Sequence, residues 1–221
     1  MSDSRGTIIG VLTSKGGSGK STITENLAVG LATKGANVAI IDCDFRQRTA
    51  SKWVTRRNEY HPNLPKIHCF LESDNLISSI QEHAKHYDVS IIDVQGRDNK
   101  SLRAGFLVCD IIYVPFIPSQ NDLEVIEEIA SIIEETRIQN SSRKIFAILN
   151  DCPSQILSNQ SHEAYEFLGE HKELFNISSV KIVHRSIYQT SPAEGLGVIE
   201  SKDKKAAFEI EKLIKEVEDN V

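Results

Sequence analysis

Short β-branched runs alternate with longer amphipathic stretches along this chain, the pattern of a parallel sheet covered by helices on both faces. Strands are predicted at 7–13, 38–42, 67–70, 89–94, 111–115, 144–150 and 180–183, and helices near 21–34, 47–60, 74–86, 100–108, 119–138, 155–169 and 201–218. The helix over 119–138 has the clearest period: Leu123, Ile126, Ile129, Ile132 and Ile133 share one side, Ser119 can cap, and Asp122 and Glu124 sit near the positive end of the dipole. No repeat, low-complexity tract or linker breaks the alternation, so one domain over 1–221 is expected. Right-handed crossovers then give an α/β fold with a doubly wound, mostly parallel sheet and a ligand site at the carboxyl ends of its strands.

Composition narrows the class. With 221 residues, 40% of them hydrophobic, 25% charged and only 12 Gly and 6 Pro, the chain can bury a sizeable core. It has no run of 18 apolar residues, and Met1 to Gly6 lack the apolar centre of a signal peptide, so a cytoplasmic protein is expected. Cys43, Cys69, Cys109 and Cys152 are scattered without a Cys-x-x-Cys pair, which favours reduced thiols over disulfides or zinc ligands.

The strongest chemical signal follows the first strand, where Lys15-Gly16-Gly17-Ser18-Gly19-Lys20-Ser21 opens a helix beginning Thr22-Ile23-Thr24. A glycine-rich turn between a buried strand and a helix N-terminus cradles the phosphates of a nucleoside triphosphate. Gly16, Gly17 and Gly19 allow backbone amides to point at phosphate oxygens, Lys20 supplies a point charge for the β- and γ-phosphates, and the Ser21 hydroxyl suits Mg²⁺. Carboxylates for that cation should lie just after strands. The second strand ends Asp42-Cys43-Asp44, and the fourth ends Asp93-Val94-Gln95-Gly96. Asp93 fits an acid holding a Mg²⁺-bound water, and Gly96 can offer its amide to the γ-phosphate. The alternatives are that Asp42 or Asp44 caps the next helix and that Asp93 begins a turn.

The loop departs from the common phosphate loop: Ser14 stands where the first glycine usually sits, and a second lysine, Lys15, lies inside it. This Lys-Gly-Gly-x-Gly-Lys-Ser form resembles the deviant Walker A motif of the ParA/MinD superfamily of P-loop NTPases. The resemblance implies an ATPase that dimerises around two ATP molecules, with Lys15 reaching the partner's ATP, Asp44 positioning the attacking water and leaning on the Mg²⁺ shell, and Asn150 contacting adenine. It continues through Pro115-x-x-Pro118-Ser119, Ile148-Leu149-Asn150, His184-Arg185 and Gly195-x-Gly197, and so covers essentially the whole chain. Two departures stand out: relatives follow the switch aspartate with Pro-Gln, whereas Phe45-Arg46 intervenes here before Gln47, and Gln95 stands where they place proline or a small residue.

Within that superfamily the features separate cargoes. The C-terminal stretch Glu209 to Val221 is too acidic to be drawn to an anionic leaflet, and Lys100 stands where iron–sulfur relatives place a cysteine, so neither a membrane nor a cluster is expected. The resemblance then points to a small partition ATPase without an N-terminal extension. Such a protein binds double-stranded DNA nonspecifically as an ATP dimer, associates with the nucleoid, and is released when a centromere-binding ParB-type partner stimulates slow, Mg²⁺-dependent hydrolysis. Related proteins position carboxysomes or protein clusters, or assist conjugative transfer; a metabolic ATP-dependent enzyme of the same fold is the remaining alternative. At a net charge of −6, DNA binding requires concentrated cations. Two groups qualify: Arg46, Arg48, Lys52, Arg56 and Arg57, and the later group of Lys181, His184, Arg185, Lys202, Lys204 and Lys205. The resemblance favours Arg185, Lys202, Lys204 and Lys205, and either group could instead be a solvated helix face. Trp53 is expected in the core rather than stacked on bases.

Overall fold

The computed structural model describes residues 5–95, 99–118, 123–154 and 159–221. Strands β1 (Thr7–Val11), β2 (Val38–Asp42), β3 (Ile67–Leu71), β4 (Val89–Asp93), β5 (Ile111–Phe116), β6 (Lys144–Cys152) and β7 (Asn176–Val183) form one seven-stranded sheet in the order β3-β2-β4-β1-β5-β6-β7. Every pairing is parallel, so the expected doubly wound α/β architecture stands. Helices α1 (Lys20–Thr33), α2 (Thr49–Tyr60), α3 (Leu76–His83), α4 (Asn99–Val108), α5 (Leu123–Thr136), α6 (Asn159–Gly169), α7 (Ile187–Thr190) and α8 (Lys204–Glu218) cover it, with 3-10 turns at Ser191–Glu194 and Val198–Glu200.

Alternation along each strand divides the core. Ile9, Val11, Ile40, Ile91 and Ile148 point to the layer of α1, α2 and α8, while Ile8, Ile41, Ile92, Ile112 and Leu149 point to the layer of α3 to α6. Two faces so filled explain why the strands read as nearly continuous apolar runs. Ile126, Ile129, Ile132 and Ile133 of α5 are buried as the periodicity requires; the expected cap at Ser119 and charge at Asp122 lie outside the described residues, as do the side chains of Leu123 and Glu124. Trp53 is a core residue, 1% exposed. None of the four cysteines is in a disulfide.

Three boundaries differ from the pattern for identifiable reasons. β7 begins at Asn176 rather than at 180, because Ser178 and Ser179 interrupt the apolar run yet are held by Glu216 of α8, which accepts from both hydroxyls and from the Ser179 amide at 2.7 Å. α2 starts at Thr49 because residues 44–48 form a turn ending with Arg48 in the left-handed region (φ 53°). α8 starts at Lys204 because the Asp203 carboxylate caps the amides of Lys205 and Ala206. The C-terminal segment is clamped onto α1: a Cβ on Gly30 would lie 1.9 Å from Ile214 Cδ1, and the Asn26 carboxamide accepts from the Val198 amide at 2.7 Å.

Candidate nucleotide site at the carboxyl ends of the strands

The phosphate loop leaves the central strand β1 and ends at Gly19, whose φ of 91° only glycine adopts without strain. Lys20, 8% exposed, folds back so that its ammonium donates to the Lys15 carbonyl at 2.7 Å, and Ser18 Oγ donates to the same oxygen at 3.2 Å. Burial lowers the Lys20 pKa, opposed by the charges of Asp93 and Asp44. Two side chains from elsewhere brace the loop. Asn150, at the end of β6, donates its amide to the Ser18 carbonyl at 2.8 Å, and Ser14 donates to Glu128 of α5.

Strand register brings the acids to the loop. Asp93 pairs with Val11 across β1 and β4 and with Asp42 across β2 and β4, so both carboxylates emerge at the level where the loop begins. Ser21 Oγ donates to Asp93 Oδ2 at 2.7 Å, while Asp93 Oδ1 is buried with no hydrogen-bond partner. Desolvation, less the bond from Ser21, carries the Asp93 pKa up to about 7. A buried carboxylate oxygen with spare lone pairs beside a hydroxyl at a phosphate loop is the donor set a hydrated Mg²⁺ takes, so the residues present fit that ion.

The other two aspartates do different work. Asp42 accepts from the Asp44 amide through Oδ1 and from the Ser51 amide and hydroxyl through Oδ2, all at 2.9 Å, so it pins the start of α2. Asp44 Oδ1 accepts from the amides of Arg46 and Gln47 at 3.1 and 2.9 Å, closing the turn that replaces the Pro-Gln of relatives. Asp42 therefore reaches the first turn of α2, whereas Asp44 closes the turn before it, and Asp44 is close enough to Lys20 to act on its charge. Gly96 lies outside the described residues.

The family model for the ATPase MipZ matches residues 7–69, the span holding the loop, Asp42 and Asp44. The Maintenance of carboxysome distribution protein A of Halothiobacillus neapolitanus is 24% identical over 222 residues, 98% of this chain and 99% of that protein. Protein ParA of Rhizobium radiobacter is 28% identical over 128 residues, 58% of this chain and 56% of the relative. The chain is similar to ATPases of the ParA/MinD superfamily. Its fold also agrees with that of a Cyanothece McdA variant in complex with ATP, with a TM-score of 0.77 at 17% identity over 99% of this chain and 98% of that one.

The basic groups distribute unevenly. In the first, Arg57 is buried and paired with Glu200, and Arg56 donates to the Pro192 carbonyl at 2.8 Å, so Arg46, Arg48 and Lys52 are the exposed members. In the second, Arg185 is held by Glu209 at 2.7 Å and His184 by Asp151 at 2.6 Å, which leaves Lys181 on β7 and Lys202, Lys204 and Lys205 around the start of α8 as the exposed lysines. Sequence reasoning missed Glu25, 3% exposed on α1. Burial raises its pKa well above the carboxylate range, Asp93 and Asp42 add to the rise, and Arg56 opposes it. Its place one helical turn after Ser21 was the available signal. Among the described residues no helix is long and apolar enough to cross a membrane.

Proposed function

We propose that this chain, folded as one domain over 1–221, is an ATP-switched positioning ATPase of ParA type that binds double-stranded DNA as an ATP dimer and releases it after hydrolysis. The observation that carries this reading is the unpartnered Asp93 Oδ1 beside Ser21, at the mouth of a loop with two lysines. Amides of Gly16, Gly17, Ser18, Gly19 and Thr22, with the Gly96 amide, would hold the phosphates, and Lys20 would exchange the Lys15 carbonyl for phosphate oxygens. Ser21 and Asp93, with Asp44 in the outer shell, would hold Mg²⁺, which when bound offsets the charge of the β- and γ-phosphates. Lys15 would add a cation from the second subunit as charge develops at the γ-phosphate. Asp44 would orient the attacking water once its carboxylate leaves the Arg46 and Gln47 amides, giving ADP and phosphate, and Asn150 would contact adenine.

Lys202, Lys204 and Lys205 present the exposed cations that a phosphate backbone would meet, with Arg185 behind them. A ParB-type centromere protein is one stimulating partner. The full-length likeness to a carboxysome-distribution protein supports a second cargo reading on the same switch, a protein assembly carried over the nucleoid. The test is DNA binding by purified protein with ATP, ADP or no nucleotide at two salt concentrations, alongside Lys15→Ala and Lys20→Ala. Salt-sensitive binding that needs ATP and disappears in both variants is expected; nucleotide-independent binding, or none, refutes the DNA-tethered switch.

A further inference from the structure

Strand β3 ends the sheet, and between it and α2 runs a groove of about 460 Å³ lined by Arg48, Ser51, Thr55, Asn58, His68 and Cys69, among others. The Glu72 amide donates to the Asp42 carbonyl, so the backbone groups of Phe70 and His68, two and four residues back, face β2, while those of Ile67, Cys69 and Leu71 turn away from the sheet. Asn58 already donates to one of these, the Ile67 carbonyl, at 3.4 Å. The groove therefore flanks a strand edge whose N–H and C=O groups repeat at peptide spacing. No carboxylate is among its lining residues, and no acidic residue occurs from Phe45 to Asn58. Burial pushes the Cys69 thiol up to about 12, so it is a neutral part of the wall.

At one end of the groove stands Arg48, exposed and in the left-handed region at φ 53°. Its Nε donates to the Phe45 carbonyl at 3.2 Å and its guanidinium lies 5.3 Å from the Phe45 ring, which is itself 43% exposed. Arg46 and Lys52 are exposed beside it. An exposed aromatic ring under an arginine, held in a strained backbone, is an arrangement found at recognition surfaces.

We infer that this groove binds an extended acidic segment of a partner protein, which adds to the open edge of β3 and sets its carboxylates against Arg48 and Lys52. A peptide suits the place better than a nucleic acid does: the strand edge rewards a partner backbone, whereas a duplex could reach only the protruding cations. The mouth of the groove is the turn closed by the Asp44 carboxylate. Movement of Asp44 toward a nucleotide breaks those two bonds and shifts Phe45 and Arg48, so occupancy of the groove depends on the nucleotide; this coupling rests on the function proposed above, and the groove itself does not.

The experiment uses a fluorescein-labelled peptide alternating Glu with Thr and Val, its Lys-for-Glu counterpart and a labelled DNA duplex, each titrated into the full chain with ATP or ADP while nucleotide affinity is measured on the same samples. The acidic peptide binds and the lysine peptide does not; Arg48→Glu weakens binding roughly tenfold. Thr55→Trp, which fills the groove, abolishes peptide binding while nucleotide affinity is retained, and amide exchange over 67–71 slows when the peptide is bound. Absence of binding to the wild-type chain, binding that survives Thr55→Trp, or a duplex that displaces the peptide without change in exchange over 67–71 overturns the proposal. Equal peptide affinity with ATP and ADP sinks the coupling alone, and loss of nucleotide affinity in the wild-type chain sinks the function proposed above without touching the groove.

Discussion

Removing Glu200 leaves one of the most deeply buried charges of the chain without its partner. Arg57, 1% exposed in its side chain, meets Glu200 in a two-pronged pair, Nη1 to Oε2 and Nη2 to Oε1, both at 2.8 Å. The remaining hydrogen bonds of the guanidinium go to backbone carbonyls, Gly195 at 3.2 Å and Pro65 at 3.4 Å, which cannot neutralise it. Glu200 also accepts from the Gly197 amide at 3.0 Å. Breaking a buried pair by deleting one partner costs about 3–5 kcal/mol, a large share of the roughly 5–15 kcal/mol that holds a domain folded. Glu200→Ala should therefore lower the urea midpoint by about 1–2 M at an ordinary dependence on denaturant. The single tryptophan, Trp53, reports the transition from close by, since the Arg57 guanidinium lies 5.7 Å from its ring. The double variant Arg57→Met with Glu200→Leu removes both charges and should cost about 2 kcal/mol less than the two single changes summed. A loss below about 1 kcal/mol for Glu200→Ala, or simple additivity of the two sites, would refute the reasoning.

Asn150 offers a sharp discrimination: if its amide acts by holding the Ser18 carbonyl, Asn150→Ala weakens ATP and GTP equally, whereas a reader of adenine would lose its preference for ATP; competition binding with both nucleotides decides. Because burial carries Asp93 to about 7, the native state keeps a proton that the unfolded chain releases above about pH 4, so without nucleotide and Mg²⁺ stability should fall as pH rises from about 4 to 7. Asp93→Asn should flatten that slope in urea midpoints taken at several pH values, leaving the part that Glu25 contributes in the same direction; an unchanged slope would contradict the burial argument. Gly30→Ala gains helix propensity yet meets Ile214 Cδ1, and should cost about 1–3 kcal/mol, recovered in large part by Ile214→Val in thermal melts; a stabilised single variant would show that α8 gives way freely.

The strand-loop-helix signature at Lys15 to Ser21 was legible because its chemistry is local: glycines, a lysine and a hydroxyl at fixed offsets. Asp93 and Asp42 were legible for a related reason, since a parallel sheet places the carboxyl ends of its strands together and apolar runs mark where strands end. The roles of the carboxylates were harder. Whether Asp42 or Asp44 reaches the next helix depends on which amides the following turn presents: Asp42 takes the Ser51 amide in the first turn of α2, while Asp44 closes the Phe45-Arg46 turn before it. Basic clusters were the least readable feature, because a run of Arg and Lys says nothing about which members find partners far along the chain. Arg57 and Glu200 lie 143 positions apart, and Arg185 is taken by Glu209 from α8. The start of β7 hid for the same reason, its serines being satisfied by Glu216, also from α8.

Those distant pairings have a mechanical consequence. Arg56 and Arg57 of α2 hold Pro192, Gly195 and Glu200, while Asn26 and Gly30 of α1 hold Val198 and Ile214. The segment carrying Lys202, Lys204 and Lys205 is thus fixed to the two helices that begin at the phosphate loop and at the Asp44 turn. Cores packed at crystal density do not stretch, so a displacement of either helix start must be taken up by the loop between Pro192 and Asp203 or passed to α8. The buried Arg57 pair makes the first option costly, and the capping of α8 by Asp203 makes the helix move as a unit. The same contacts that stabilise the fold therefore join α1 and α2, the helices that follow the phosphate loop and the Asp44 turn, to the segment that carries the exposed lysines.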